Sequence, residues 1–134
     1  LQVFRLRMER AATAEIRFGN QAGNATAKLL ADLFQFQTIR DEIDRLDEVI
    51  VRLLDRRARC AYAIGRLKQA EGMGIYEPTR EATVMAHVKA VNASLGGPLT
   101  DDAIVRLYER VMDEARRIQR LDGERQTGQA QTES

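Results

Sequence analysis

The sequence predicts an all-α fold of three helices, the first much longer than the other two. Three observations predict it. Apolar residues recur at three- and four-residue steps from Ile39 to Leu67, and again from Ile104 to Ile118. Breakers interrupt the chain at Gly72-Met73-Gly74 and at Leu95-Gly96-Gly97-Pro98. A helix-start signal follows each break: Pro78 after the first, Thr100-Asp101-Asp102 after the second.

The first helix is read from Thr38. Its apolar stripe is Ile39, Ile43, Leu46, Ile50, Leu53, Leu54, Ala61, Ile64 and Leu67. Asp41, Glu42, Asp44, Asp47 and Glu48 crowd its first turns and basic residues its last, which suits the helix dipole. About 32 residues of helix would run roughly 50 Å. Pro78 opens the second helix, where its missing N–H costs nothing, and that helix runs to about Ser94. The third carries Ile104, Leu107, Tyr108, Val111, Met112, Ala115 and Ile118 on one stripe.

The expected organisation is one domain over residues 38–121 with an extension on each side. Residues 1–37 read as an N-terminal extension, partly helical or disordered. "LQVFRLRMERAATAEIRF" and "ATAKLLADLFQFQ" are helix-like, with the breaker cluster "GNQAGN" between them. Residues 122–134, "DGERQTGQAQTES", read as a disordered polar tail.

Composition narrows the function. The 21 basic and 20 acidic residues nearly cancel, and they are interleaved, so a nucleic-acid partner is not expected and any charge-driven function must be local. Hydrophobic residues make up 44% and charged residues 31%, as in a globular protein with solvated helix faces. Trp is absent and aromatics are few, so Leu, Ile, Val and Ala must build the core. A lone cysteine, Cys60, can form no intrachain disulfide, and a lone histidine, His87, makes no metal cluster. Cys60 reads as a small core residue and His87 as a surface one. No run of about 18 apolar residues suggests a membrane span. Arg5, Arg7, Glu9 and Arg10 leave no compact apolar region for a secretory signal, so the expected compartment is the cytoplasm.

The basic residues of the long helix carry the functional signal. Arg57 and Lys68 are eleven positions apart, about three turns, and share a face. Their Cα atoms would be roughly 16 Å apart, enough for a small ligand between the side chains. Both continue the apolar stripe, so each either snorkels outward or lines a polar pocket. Arg40, seventeen positions before Arg57, falls roughly 260° round the helix and about 25 Å along it. It cannot serve the same pocket from the same straight helix, but it could serve one in a partner chain. The modest core of one long and two short helices also favours a dimer. Glu77, Arg80 and Glu81 cluster at one helix start, either as ordinary N-terminal acids with an intrahelical ion pair or as part of a site. Gln119 lies four positions after Ala115, so both can face inward.

Taken together, "RDEIDRLDEVIVRLLDRR", the helix end "GRLK", "PTRE" and "RRIQ" resemble the all-helical chorismate mutases of the AroQ class, also called type II. The resemblance covers about residues 38–120. It implies a three-helix fold in an intertwined homodimer, converting chorismate to prephenate on the way to phenylalanine and tyrosine. By resemblance, Arg40 would reach the partner's active site and bind a carboxylate, and Arg57 would bind another. Lys68 would hydrogen-bond a carboxylate and the breaking ether oxygen. Glu81 would hold the ring hydroxyl, with backbone help near Glu77. Arg80 would order the site, and Gln119 would donate to the ether oxygen. Glu77 stands where the family often has Asp, and Ala115 where it can have a Ser that touches the carboxylate.

Such a rearrangement needs no cofactor, metal or nucleophile, in keeping with a chain that lacks a Ser/His pair or metal cluster. Two other functions share parts of this pattern. Isochorismate–pyruvate lyases have the same fold and several of the cations, but their relatives tend to carry an apolar residue in place of Glu81. A non-catalytic module that regulates a shikimate-pathway enzyme could use residues 1–37 as its contact.

Overall fold

The computed structural model describes residues 21–133, and three helices account for most of them. They are α1 (Gln21–Ala70), α2 (Pro78–Leu95) and α3 (Asp101–Thr132). The chain divides into two units at Leu53/Leu54, a boundary that α1 crosses.

In the first unit the described residues are the N-terminal part of α1. Residues 21–37, expected as an extension of unsettled structure, continue this helix, and residues 1–20 lie outside the described residues. Gly23 and Asn24, expected to break the chain, are helical. The run Ala25-Thr26-Ala27-Lys28-Leu29-Leu30-Ala31 that follows is rich in strong helix formers and offsets their low propensity. Local bonds line the surface: Gln37 Nε2 donates to Asp41 Oδ1 at 2.9 Å, and Arg45 pairs with Glu42 at 3.2 Å. Along this stretch Ile39, Ile43, Leu46 and Ile50 stay exposed, at 44–52%.

The second unit holds the end of α1, α2 and α3. A Schellman motif ends α1: Met73 N–H donates to Lys68 O at 2.8 Å and Gly72 N–H to Gln69 O at 3.2 Å. Gly72 takes the left-handed conformation this requires, with φ 66°, whereas Gly74 does not have a positive φ. Pro78 starts α2 as expected, and left-handed Gly96 ends it. Thr100 caps α3 by accepting from Ala103 N–H at 3.1 Å, with Asp101 and Asp102 in the first turn.

The polar tail is corrected by the structure. Residues 122–132 are the last turns of α3 rather than a disordered segment. Asp122 is buried at 5% exposure, and Arg66 of α1 grips it through Nε at 2.6 Å and Nη2 at 3.0 Å. Gly123 faces Gln69 so closely that a Cβ there would sit 2.6 Å from Gln69 Nε2. These contacts hold the polar segment against α1, and the helix continues as a result.

Among the described residues the buried side chains are Met112, Lys68, Gln119 and Asp122. Three of the four are polar. Burying a charge without a partner is costly, so each buried polar group must be explained by what it meets. His87 is on the surface, as expected. Cys60 is not a core residue: it is exposed, on a turn of α1 that borders a cavity.

Candidate active site

Within the second unit, α1, α2 and α3 line an open cavity of about 260 Å³. Arg57, Lys68, Glu77, Arg80, Glu81, Ala115 and Gln119 all line it. Arg40 belongs to the first unit, where its guanidinium stacks 4.3 Å from the Phe36 ring centroid.

Lys68 is the buried cation, 8% exposed. Its Nζ donates to Ile75 O at 3.0 Å and pairs with Glu77 Oε2 at 3.1 Å. An ammonium has three donors, so one is left for a ligand. The Schellman turn carries the chain back over Lys68 and makes both contacts possible. Glu77, at the N-cap of α2, makes no side-chain capping bond there; its carboxylate is committed to Lys68 instead.

Gln119 is 7% exposed. Its Nε2 donates to Ala61 O at 2.9 Å, which fixes the amide against α1 and leaves one N–H. Its Oε1 is buried without a hydrogen-bond partner among the described residues. A buried orphan of this kind costs about 1–3 kcal/mol. Such a cost is ordinarily met by a bound partner or retained for function.

Arg57 sits over Tyr108, 6.0 Å from the ring centroid, and has no carboxylate within ion-pairing distance among the described residues. Arg80 is exposed at the cavity edge. Both guanidiniums can therefore grip an incoming anion as planar donors.

One charged lining residue had no role assigned from the sequence. Arg116 stands next to Ala115 on α3, and its Nη1 donates to Glu81 Oε1 and Oε2 at 2.6 and 2.7 Å. Its Nη2 donates to Asp113, and its guanidinium lies 5.6 Å from the Tyr76 ring centroid. The bond to Asp113 foremost, then the bond and charge of Glu81, raise the Arg116 pKa above its ordinary value against the effect of partial burial. The i, i+3 spacing of Asp113 and Arg116 was a visible signal, but the pairing with Glu81 spans 35 positions and was not.

The cavity thus sets Lys68 against Glu77 and Arg116 against Glu81 and Asp113, and leaves Arg57 and Arg80 as two cations without an ion-pair partner among the described residues. Around a buried amide, this arrangement can bind a small dianion and donate hydrogen bonds to an uncharged atom of it.

The sequence profile of chorismate mutase type II matches residues 39–120. The chain belongs to the type II chorismate mutase family. It is 36% identical over 88 residues to the bifunctional chorismate mutase/prephenate dehydratase of Pseudomonas aeruginosa, covering 62% of this chain and 23% of that protein. With the protein of the same description from Neisseria gonorrhoeae it shares 42% over 82 residues, 60% of this chain and 21% of that one. The T-protein of Enterobacter agglomerans is 33% identical over 81 residues, covering 60% of this chain and 21% of that protein. The chain therefore spans less than a quarter of the length of these curated relatives. The solved chorismate mutase (form II) of Thermus thermophilus superposes with a TM-score of 0.60 at 32% identity, over 64% of this chain and 94% of that one.

The chorismate mutase match stops at residue 120, so the helical residues 121–132 and 21–38 flank it. Both residues noted as departures from the common mutase pattern line the cavity: Glu77 through its carboxylate on Lys68, and Ala115 as a methyl group without a hydroxyl.

Proposed function

We propose that this chain is a chorismate mutase, converting chorismate to prephenate in the cytoplasm as a homodimer, without a cofactor. The observation that carries the reading is the pair of guanidiniums without a carboxylate partner among the described residues, Arg57 and Arg80, on the cavity that holds the buried Lys68 and Gln119. Chorismate is a dianion of suitable charge for such a cavity.

The reaction is an intramolecular rearrangement. The ether C–O bond breaks as a C–C bond forms, so the enzyme moves no proton and needs no nucleophile. Its task is to hold the compact, chair-like conformer and to stabilise the oxygen as it gains negative charge. Arg57 binds one carboxylate, and Arg40 from the partner binds the other. Lys68 gives its free N–H to the ether oxygen while its charge attracts the nearby carboxylate, and Gln119 donates its free amide N–H to the same oxygen. Glu81 accepts from the ring hydroxyl. Arg80 closes the exposed edge, Glu77 orders Lys68, and Ala115 supplies shape. Removing one donor from a preorganised set of this kind typically costs about 2.7–4 kcal/mol of barrier.

The dimer is supported by the seam of α1. Ile39, Ile43, Leu46, Ile50 and Leu53 recur at the 3.5-residue spacing of paired helices and are each about half exposed. A second copy would cover them and bring its Arg40.

The test is to follow chorismate loss by absorbance with the purified chain and to identify the product, with isochorismate as a parallel substrate. Prephenate from chorismate is expected. Salicylate and pyruvate from isochorismate, with no prephenate, would make the chain a lyase, and no turnover of either would make it a non-catalytic module.

A further inference from the structure

We infer that Arg116 is a positioning residue for Glu81, holding its carboxylate in the orientation that receives the substrate hydroxyl; the inference rests on the mutase reading. Three features carry it. One guanidinium nitrogen, Nη1, contacts both carboxylate oxygens of Glu81, at 2.6 and 2.7 Å. The carboxylate cannot turn without giving up one of these bonds. The other terminal nitrogen, Nη2, is held by Asp113 one turn earlier on α3. The Tyr76 ring lies beside the guanidinium, 5.6 Å from centroid to Cζ, within cation–π range.

A flexible cation would follow Glu81 wherever it moved. A planar fork fixed from two sides does not, so it imposes a direction on the group it binds. The pair also joins two helices. Glu81 lies in the first turn of α2 and Arg116 in the middle of α3, and each is only partly exposed, at 24% and 33%. The carboxylate is thereby set against the helix that also carries Gln119. The substrate hydroxyl and the ether oxygen on the neighbouring ring carbon are then both positioned from α3.

Glu81 and Asp113 leave Arg116 with no excess charge to offer a substrate carboxylate. Arg57 and Arg80, which have no such partners among the described residues, remain free for that task. The two kinds of arginine in one cavity therefore do different work.

The test is a double-mutant cycle on kcat/KM with Arg116→Gln, Glu81→Gln and the double variant, each checked for native helicity and oligomeric state. Arg116→Gln alone is expected to lose about a hundredfold, the cost of a misplaced catalytic group. In the Glu81→Gln background the same change is expected to cost no more than about twofold further, because the group it positions is already gone. If Arg116→Gln does not fold, Arg116→Lys, which keeps the charge but not the two-sided fork, takes its place in the cycle. Losses that multiply would show that Arg116 acts on substrate independently of Glu81 and would overturn the inference. So would wild-type kcat/KM in the folded single variant. An inactive wild-type chain would instead refute the mutase reading, and this inference with it.

Discussion

Gly65 of α1 and Gln119 of α3 are in direct contact: a Cβ added to Gly65 would lie 2.6 Å from Gln119 Cγ and 3.2 Å from its Cβ. The missing side chain at Gly65 is what lets the buried amide reach Ala61 O. In an exposed helix interior, Gly→Ala gains about 1 kcal/mol of helix propensity. At Gly65 the sign reverses. The colliding atoms are the root of the Gln119 side chain, which cannot swing clear as a flexible tip could. Gly65→Ala is expected to lower stability by about 1–3 kcal/mol, as overpacking does, and to reduce kcat in the chain that remains folded. Thermal unfolding with parallel kinetics checks it, and a fully active, stabilised variant would remove the contact from the account.

Lys68→Ala separates binding chemistry from folding. The residue is buried, but its partners tolerate its loss: Glu77 is 37% exposed and can be solvated, and Ile75, whose carbonyl loses one bond, is only half-buried. The variant is expected to keep its helicity and lose about a hundredfold to a thousandfold in kcat, the scale for one preorganised donor. Near-normal turnover in a folded variant would reject the role assigned to Lys68.

Gln119→Glu tests where the amide points. A glutamine donates at every pH, whereas a carboxyl group donates only when protonated. Activity of the variant is therefore expected at acid pH, below the pKa of the new carboxyl group, and lost as pH rises through it. A pH–rate profile unchanged from wild type, at undiminished activity, would show that Gln119 is not at the ether oxygen.

The partner's contribution of Arg40 has its own signature. Arg40→Ala and Lys68→Ala chains are each expected to be nearly inactive. Refolded as an equal mixture, about half of the dimers pair one chain of each kind, and one of the two sites in such a dimer carries neither lesion. Activity is expected to rise toward about a quarter of wild type, provided that pairing is random and sites act independently. Verified mixed dimers with no recovered activity would place Arg40 elsewhere.

The sequence by itself determined what is local. The starts of α2 and α3 were legible because Pro78 and Thr100 act on N–H groups within three or four residues of themselves. The face shared by Arg57 and Lys68 followed from helical period alone, and the structure puts both on the cavity. The family resemblance pointed to Glu77, Arg80, Glu81, Ala115 and Gln119, which line it too. What only the tertiary structure decided are contacts between helices. The Arg116–Glu81 pair spans 35 positions and the Arg66–Asp122 pair 56, and no periodicity within one helix encodes a register against another. The same reason explains the polar segment 122–132. Composition made it look unable to fold, because its stability comes from Asp122 and Gly123 meeting Arg66 and Gln69 on α1. The commitment of Glu77 to Lys68 is decided in the same way. Helical spacing places a side chain on a face, but packing of one helix on another decides which charge it meets and whether water remains between them.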